Sequence, residues 1–362
     1  MAESSSAVAA PLLRGLPDEI AVWEIFVRLP PKSLLRCRAV RRDWRRATST
    51  REFLLAHHGR QPCLPLLYNF DFVPSYLDIV PFDHQADQLQ SVARLGDAYF
   101  YLEASCDGLL VLCDRNKRLS VCNPATRRYA PLPKTSGFRV LGMYPDNNTG
   151  QHRLLLCPEP VGQGACHVFA LGSCQPPRNI GIGCPDDVTN ALVPVLLGGS
   201  LHWHREQRES GSRDLILVFD TTAESFRHMR SPIHGGTSLL FEMDGMLAVY
   251  SFNDAAKIID IWVLQDYQRE VWAFKCRVKL PVKEINVQYT SWDVMVTSSD
   301  DDVLVLLRFG DRLLHVDING KLVASFHRER VCLTPLRLKQ TLVPHNFFPT
   351  LEGGIVIDSP FI

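Results

Sequence analysis

Several things are missing from this chain, and each absence removes a class of function. Its 11 cysteines run from Cys37 to Cys332 without one CxxC pair, which excludes zinc ribbons and fingers. An odd number without framework spacing points to free thiols in a reducing compartment. No run approaches the about 18 apolar residues of a membrane-spanning helix; NALVPVLLGGSLHW (190–203) is broken by Pro194 and by Gly198-Gly199. Net charge is also missing: 39 Lys+Arg balance 39 Asp+Glu, which argues against wholesale electrostatic binding to nucleic acid or to a membrane. The opening MAESSSAVAAPLL has neither the basic start and apolar core of a signal peptide nor the arginines of a transit peptide, so residues 1–13 read as a disordered tail. There is no GxSxG elbow and no GxxxxGK loop, and Gly181-Ile182-Gly183 lacks a third glycine and a following helix. With 46% hydrophobic and 22% charged residues over 362 positions, the chain is an ordinary globular protein of more than one domain, expected in cytoplasm, nucleus or both.

What is present falls into two unlike parts. Residues 16–53 read as three short helices. Pro17 suits a helix start, and Asp18 and Glu19 favour the positive end of the helix dipole. Ile20, Trp23 and Val27 form one apolar face and Val22, Ile25, Phe26 and Leu29 a second. Leu29-Pro30 ends this helix, Pro31 restarts a second through Leu34, Leu35 and Cys37, and a third is expected across Val40, Trp44 and Ala47. So small a unit cannot bury that much apolar surface alone, and the surplus calls for a partner. The first 60 residues hold 11 Lys+Arg against 6 Asp+Glu, so the basic charge is concentrated here.

Beyond about residue 60, apolar runs of four to seven residues alternate with Gly, Asp, Asn and Pro, which is an all-β pattern. A unit recurs: an opening turn, a buried strand, a second apolar strand ending in Asp or Asn, then a strand carrying an aromatic. It opens at Asp107-Gly108, Gly198-Gly199, Asp244-Gly245 and Asp301-Asp302, and closes at Asn123, Asp220, Asp266 and Asp317. The wide gap between the first two copies leaves room for a hidden one over 138–172, with HRLLLC and ACHVFAL as strands. A period of roughly 40 to 50 residues with several strands each is that of propeller blades. CLPLLY, YLDIVPF and AYFYLEAS are expected to supply another blade, with the closing GGIVIDSPFI completing the ring. The competing architecture is an open pair of β-sheets or a sandwich. REQRESGSR (205–213) and MYPDNNTGQ (143–151) read as solvated loops.

The spacing Leu16-Pro17-x-Glu19, Ile25, Leu29-Pro30, Ser33-Leu34-Leu35-Arg36, Val40 and Trp44 resembles the F-box, especially its plant form, with Ala21-Val22-Trp23 replacing a more usual leucine-rich or acidic run. SCDGLLVL, NPATRR, GGSLHW, VFDTTAESF, DGMLAVY, IDIWVLQDY and TLVPHNFFPTLE resemble the F-box-associated β domain of plants. The resemblance implies an α+β multidomain chain: a three-helix F-box over 14–58, then an all-β, propeller-like domain over 60–362. It implies a non-catalytic substrate receptor of an SCF ubiquitin ligase, docking a Skp-type adaptor and, through it, cullin and RING subunits, while the β domain holds an unidentified target protein. Adaptor contacts carried over are Leu16, Pro17, Ile20, Ile25, Leu29, Pro30, Leu34, Leu35, Val40 and Trp44. No catalytic residue, cofactor or metal is implied.

Other chemistry reads weakly beside this. His202 and His204 fall two apart on one strand face, the spacing of two metal ligands, but no third ligand stands at suitable spacing and a structural role is expected. The recurring strand-end acids suggest Asx-turns rather than paired catalytic carboxylates. Arg38, Arg41, Arg42 and Arg45 fall at helical spacing on the expected third helix, a basic face more suited to solvent or an acidic protein than to DNA. The alternatives left standing are a propeller-based enzyme such as a hydrolase, and an F-box scaffold that works without the ligase.

Overall fold

In the computed structural model, the described residues are 17–72, 75–86, 88–96, 100–160, 164–185, 193–205, 215–233, 237–281, 292–299, 302–348 and 359–362. The expected tail, Leu16 and most of the 205–213 insert lie outside them. The chain divides into two compact units, Met1–Gln61 and Pro62–Ile362.

The first unit is helical. α1 (Asp18–Ile20) runs on through a π turn (Ala21–Ile25) and a 3-10 turn (Phe26–Arg28) until Leu29, before Pro30, goes extended. α2 (Pro31–Val40) starts with Pro31 in its first turn, as expected for a residue without an N–H to lose. The expected third helix is displaced: Val40 ends α2, Arg41 is extended, and α3 covers Arg42–Thr48. Arg38 and Arg45 therefore sit on different helices, and the continuous basic face drawn from the spacing does not form. A fourth helix, α4 (Arg51–Arg60), follows, with the Thr50 hydroxyl accepting from the Phe53 N–H as an N-cap.

The second unit is a six-bladed β-propeller. Six antiparallel four-stranded sheets are present among the described residues. Blade 1 holds β1 (Cys63–Phe72), β2 (Ser75–Pro81) and β3 (Ala93–Gly96). Blade 2 holds β4 (Tyr101–Cys106), β5 (Leu109–Cys113), β6 (Leu119–Asn123) and β7 (Arg128–Pro131). Blade 3 holds β8 (Phe138–Pro145), β9 (His152–Pro158), β10 (Ala165–Ala170) and β11 (Arg178–Gly183), so the hidden copy is real. Blade 4 holds β12 (Val195–Leu197), β13 (Ser200–Arg205), β14 (Leu215–Asp220) and β15 (Ser225–Arg230). Blade 5 holds β16 (Thr237–Met243), β17 (Met246–Asn253), β18 (Ile258–Asp266) and β19 (Val271–Lys279). Blade 6 holds β20 (Trp292–Ser299), β21 (Asp302–Phe309), β22 (Arg312–Val316) and β23 (Leu322–His327).

Ring closure differs from expectation. The strand that completes blade 1 is β24 (Val331–Lys339), paired with β1 from Cys63↔Lys339 to Asn69↔Val331. Of the GGIVIDSPFI segment, Phe361 makes a single bridge to Leu95 at the other edge of that sheet, and 353–358 lie outside the described residues. Of AYFYLEAS, the residues from Tyr101 to Ser105 belong to β4 and hence to blade 2, while Ala98 and Tyr99 lie outside the described residues. MYPDNNTGQ contributes Met143 to Pro145 to β8, which shortens the loop.

Apolar cores lie between neighbouring blades. Leu109 and Val111 of blade 2 pack with Leu154 and Leu156 of blade 3; Leu155 and Cys157 of blade 3 pack with Leu217 and Phe219 of blade 4. Ile216 and Val218 meet Leu247 and Val249, and Ile259 and Ile261 meet Val305 and Leu307. Leu304 and Leu306 of blade 6 meet Leu67 and Val80 of blade 1, whose other side, with Leu66 and Ile79, meets Leu110 and Leu112 of blade 2. Every adjacent pair shares a core, so the sheets close on themselves and the sandwich alternative falls. Central strands buried on both faces account for the unbroken apolar runs, and exposed outer strands such as β23 for the alternating ones.

Three of the four opening turns are two-residue hairpins with both residues left-handed: φ is 48° and 86° at Asp107-Gly108, 56° and 75° at Gly198-Gly199, and 53° and 72° at Asp244-Gly245, while Asp301 of the fourth lies outside the described residues. The closing residues cap their own turns. Asp220 Oδ1 accepts from the Thr222 and Ala223 N–H groups, Asp266 Oδ1 from Gln268 and Arg269, Asp317 Oδ1 from Asn319 and Lys321, and Asn123 Oδ1 from Thr126. These are Asx-turn roles, not catalytic ones.

One cysteine expectation fails. Cys157 at the end of β9 and Cys184 after β11 form a disulfide, and the Cys166 Sγ on the intervening β10 lies 3.0 Å from that of Cys184. The strand order brings together residues whose 27-residue separation carries no motif.

Candidate functional site

Within the helical unit, the first segment is tied to the third helix by Asp18. Its Oδ1 accepts from an Arg41 Nη at 2.7 Å and from the Trp44 Nε1 at 3.1 Å, and its Oδ2 from the other Arg41 Nη at 2.8 Å. The Trp44 indole and the Arg41 guanidinium hold the Asp18 carboxyl below its ordinary range against the opposing effect of desolvation. Trp44 packs edge-on against Phe26 with ring centroids 4.8 Å apart, and Trp23 meets Phe53 at 5.6 Å. A second anchor fixes the Leu29-Pro30 corner: the Leu29 carbonyl accepts from His57 Nε2 at 2.8 Å and from Gln61 Nε2 at 3.2 Å. His57 is fully buried, and that burial pushes its pKa down, so the neutral ring is the one that fits.

These ties sort the residues singled out by sequence. Ile20, Ile25, Leu35 and Val40 stand 45%, 41%, 41% and 76% exposed, and Leu55, not anticipated, 48%. Pro17 and Pro30 are also exposed, while Leu29 and Trp44 are half-buried. Leu34 differs from these: at 0% exposure it belongs with Val22, Phe26, Val27, Phe53 and Leu54 in the unit's buried set. Leu16 lies outside the described residues. His57 and Gln61 were missed because they lie past the motif; only the apolar-polar spacing of REFLLAHHGR could have flagged their helix.

Within the propeller, the six innermost strands β4, β8, β12, β16, β20 and β24 enclose a cavity of about 380 Å³ on the ring axis. Leu239, Phe241, Met295 and Leu336 give it apolar walls, and its polar side chains include Ser105, Asp107, Glu242 and Arg337. The Arg337 guanidinium is ion-paired with Glu242 and donates to the Ser298 carbonyl at 3.0 Å, which ties blades 1, 5 and 6 together. Asp107 and Glu242 are the only lining carboxylates among the described residues, and Glu242 is ion-paired with Arg337.

The two histidines on β13 do not share a ligand. His202 is fully buried; its Nδ1 donates to the Val195 carbonyl at 3.1 Å and its Nε2 accepts from the Tyr267 hydroxyl at 2.8 Å. His204 instead bonds the Ser238 hydroxyl. Both serve the seam between blades 4 and 5.

Residues 81–323 match the F-box associated beta propeller domain, and residues 13–58 match the F-box-like family. The chain is 26% identical to the F-box protein At5g49610 of Arabidopsis thaliana, over 71% of this chain and 77% of that one. It is 23% identical to the F-box protein CPR1 of the same plant, over 86% and 84% respectively. Among solved structures, a chain of a nidogen–laminin complex aligns with a TM-score of 0.43 at 12% identity, covering 75% of this chain and 96% of that one, too loose a likeness to bear on function. With a helical F-box ahead of six closed blades, the chain belongs to the family of F-box proteins that carry an F-box associated beta propeller domain.

Proposed function

We propose that this protein is the substrate-recognition subunit of an SCF-type ubiquitin ligase, working without a catalytic residue of its own. The F-box helices dock a Skp-type adaptor, the adaptor connects to cullin and RING subunits, and the propeller holds the protein to be ubiquitinated. Transfer is then accelerated by proximity, since holding donor and acceptor together replaces a bimolecular encounter. The observation that carries the reading is the set of large apolar side chains left exposed on so small a helical unit: Ile20, Ile25, Leu35, Val40 and Leu55. A surface of that kind behaves as a hot spot in which few residues dominate. The work of such a complex lies in cytoplasm or nucleus.

The test is affinity capture of the full chain from cells or with purified Skp-type adaptor. Stoichiometric co-purification is expected, and it is lost when Leu35 and Val40 are both replaced by Asp while the circular dichroism of the protein stays native. Recovery of no adaptor with the native chain, or undiminished recovery with the double variant, would overturn the assignment. Capture of adaptor without cullin would instead favour an F-box scaffold independent of the ligase.

A further inference from the structure

Cys106 ends β4, and Asp107 opens the turn to β5. In an extended chain neighbouring side chains point to opposite faces. The left-handed φ of 48° at Asp107 changes this, and its Oδ2 lies 3.8 Å from the Cys106 Sγ. From the adjacent blade, His152 at the start of β9 brings its Nε2 to 3.4 Å from the same Oδ2. The three donor atoms all lie within 4.8 Å of one another, the only such group among the described residues.

Two independent features separate this cluster from a chance meeting of surface groups. The His152 side chain is only 7% exposed, yet its Nε2 lacks a hydrogen-bond partner, so a buried nitrogen lone pair or N–H points into the cluster unsatisfied. The cluster is also held in place. A Cβ at Gly108 would come within 2.4 Å of the Lys339 carbonyl, which shows how closely the turn sits on the ring-closing strand, and the His345 ring packs edge-on against His152 at 5.4 Å.

We propose that Cys106, Asp107 and His152 form a binding site for one divalent cation of borderline softness, Zn²⁺, through a thiolate sulfur, a carboxylate oxygen and an imidazole nitrogen. That donor set suits zinc better than calcium or magnesium, which prefer oxygen alone. Tetrahedral zinc with these donors requires separations of about 3.4 Å between donor atoms. The Nε2–Oδ2 separation already has that value, the Sγ–Oδ2 separation reaches it with a shift of a few tenths of an ångström, and the Sγ–Nε2 pair, within 4.8 Å, closes by a side-chain rotation of at most about 1.4 Å. Metal binding replaces the thiol S–H bond with an S–Zn bond and sends the proton to solvent. Cys106 and Asp107 also line the axial cavity, so the fourth position, filled by water in the free protein, opens toward whatever enters it. The ion clamps the blade 2 turn to blade 3 and places a Lewis-acidic site on the cavity wall. The proposal does not depend on the adaptor assignment.

The full-length protein, reduced and stripped with chelator, is titrated with Zn²⁺ alone by calorimetry and with Co²⁺ as a spectroscopic probe. One equivalent per chain and a thiolate-to-cobalt charge-transfer band are expected. Asp107→Asn, which removes charge at a left-handed position that Asn tolerates, should keep the native circular dichroism and weaken Zn²⁺ binding about tenfold or more. Cys106→Ser should remove the band, whereas Cys166→Ser, in the separate sulfur cluster, should leave it. The proposal is overturned by any of three results: no one-equivalent binding, undiminished affinity in Asp107→Asn, or a band that survives Cys106→Ser.

Discussion

The seam between blades 4 and 5 should open as the pH falls, because its central hydrogen bonds require a neutral histidine. His202 is enclosed on every side, and burial drives its pKa down to about 4; the Val195 carbonyl opposes this, and the Arg227 charge adds to it. The Val195 carbonyl can only accept, so Nδ1 carries the proton and Nε2 must stay bare to accept from Tyr267. An unfolded histidine titrates near 6.5. Between about 6.5 and about 4 the unfolded chain takes up a proton that the folded chain refuses, so stability falls with falling pH across this window and the loss is complete below it. At 1.36 kcal/mol per pKa unit, the full loss is about 3 kcal/mol, of which about 2 kcal/mol has gone at pH 5. Other groups titrate in acid too, so the discriminating perturbation is His202→Asn. Asn keeps a donor for Val195 and leaves Tyr267 without an acceptor, at a cost of about 1–3 kcal/mol near neutral pH, but it does not titrate. Urea midpoints measured for both proteins from about pH 7.5 down to about pH 5 should show the wild-type advantage shrinking by about 2 kcal/mol. If the two stability curves run parallel across that range, His202 is not neutral for the reason given and the argument fails.

Other expectations follow from single residues. Leu34→Ala should destabilise the helical unit by about 2–5 kcal/mol in thermal or urea melts, as for any large core side chain, whereas Val40→Ala should leave the melt unchanged and weaken adaptor capture. Asp78, 1% exposed, accepts from Arg94 at 2.7 and 3.0 Å and from Arg328 at 2.9 Å, joining blade 1 to the connection that leads into the ring-closing strand. Asp78→Ala leaves two guanidinium groups without their partner and should cost about 3–5 kcal/mol of propeller stability by urea melt. Gly320 has φ of 79°, and a Cβ there would stand 2.1 Å from the Lys279 carbonyl, so Gly320→Ala should lower the propeller's melting temperature even though no side chain is lost.

Much of the propeller was legible because its repeat is enforced by local chemistry. Asp107-Gly108 and Asp244-Gly245 adopt φ values that few other pairs tolerate, and Asp220, Asp266 and Asp317 bond to their own turns, so both ends of the unit are written in adjacent residues. Ring closure was not legible for the opposite reason. VCLTPLRLK and GGIVIDSPFI are both plausible strands, and the choice between them rests on contacts made with Leu66 and Leu67 more than 250 positions earlier. Thr334 illustrates this: its hydroxyl bonds the Leu66 carbonyl, a partner no window of sequence contains. The Cys157–Cys184 pair and the Cys106, Asp107, His152 group escaped notice likewise, since each joins residues from separate strands without a recognisable spacing.

The helical unit shows a different limit, because its motif treats neighbouring residues alike and packing does not. Leu34 and Leu35 stand side by side in one pattern, yet one is enclosed and the other 41% exposed. The helix the spacing did not supply, α4, adds Phe53, Leu54 and His57 to the buried set that holds Leu34 and ties the Leu29-Pro30 corner through His57. Part of the apolar surplus read from residues 16–53 is therefore satisfied within the chain. What remains uncovered is a shorter set, Ile20, Ile25, Leu35, Val40 and Leu55, and cohesion of the unit no longer needs a second protein. A partner that docks there gains from burying those five side chains at about 25 cal/mol per Å² of apolar surface, and gains nothing from Leu34 except the rigidity of the surface it supports.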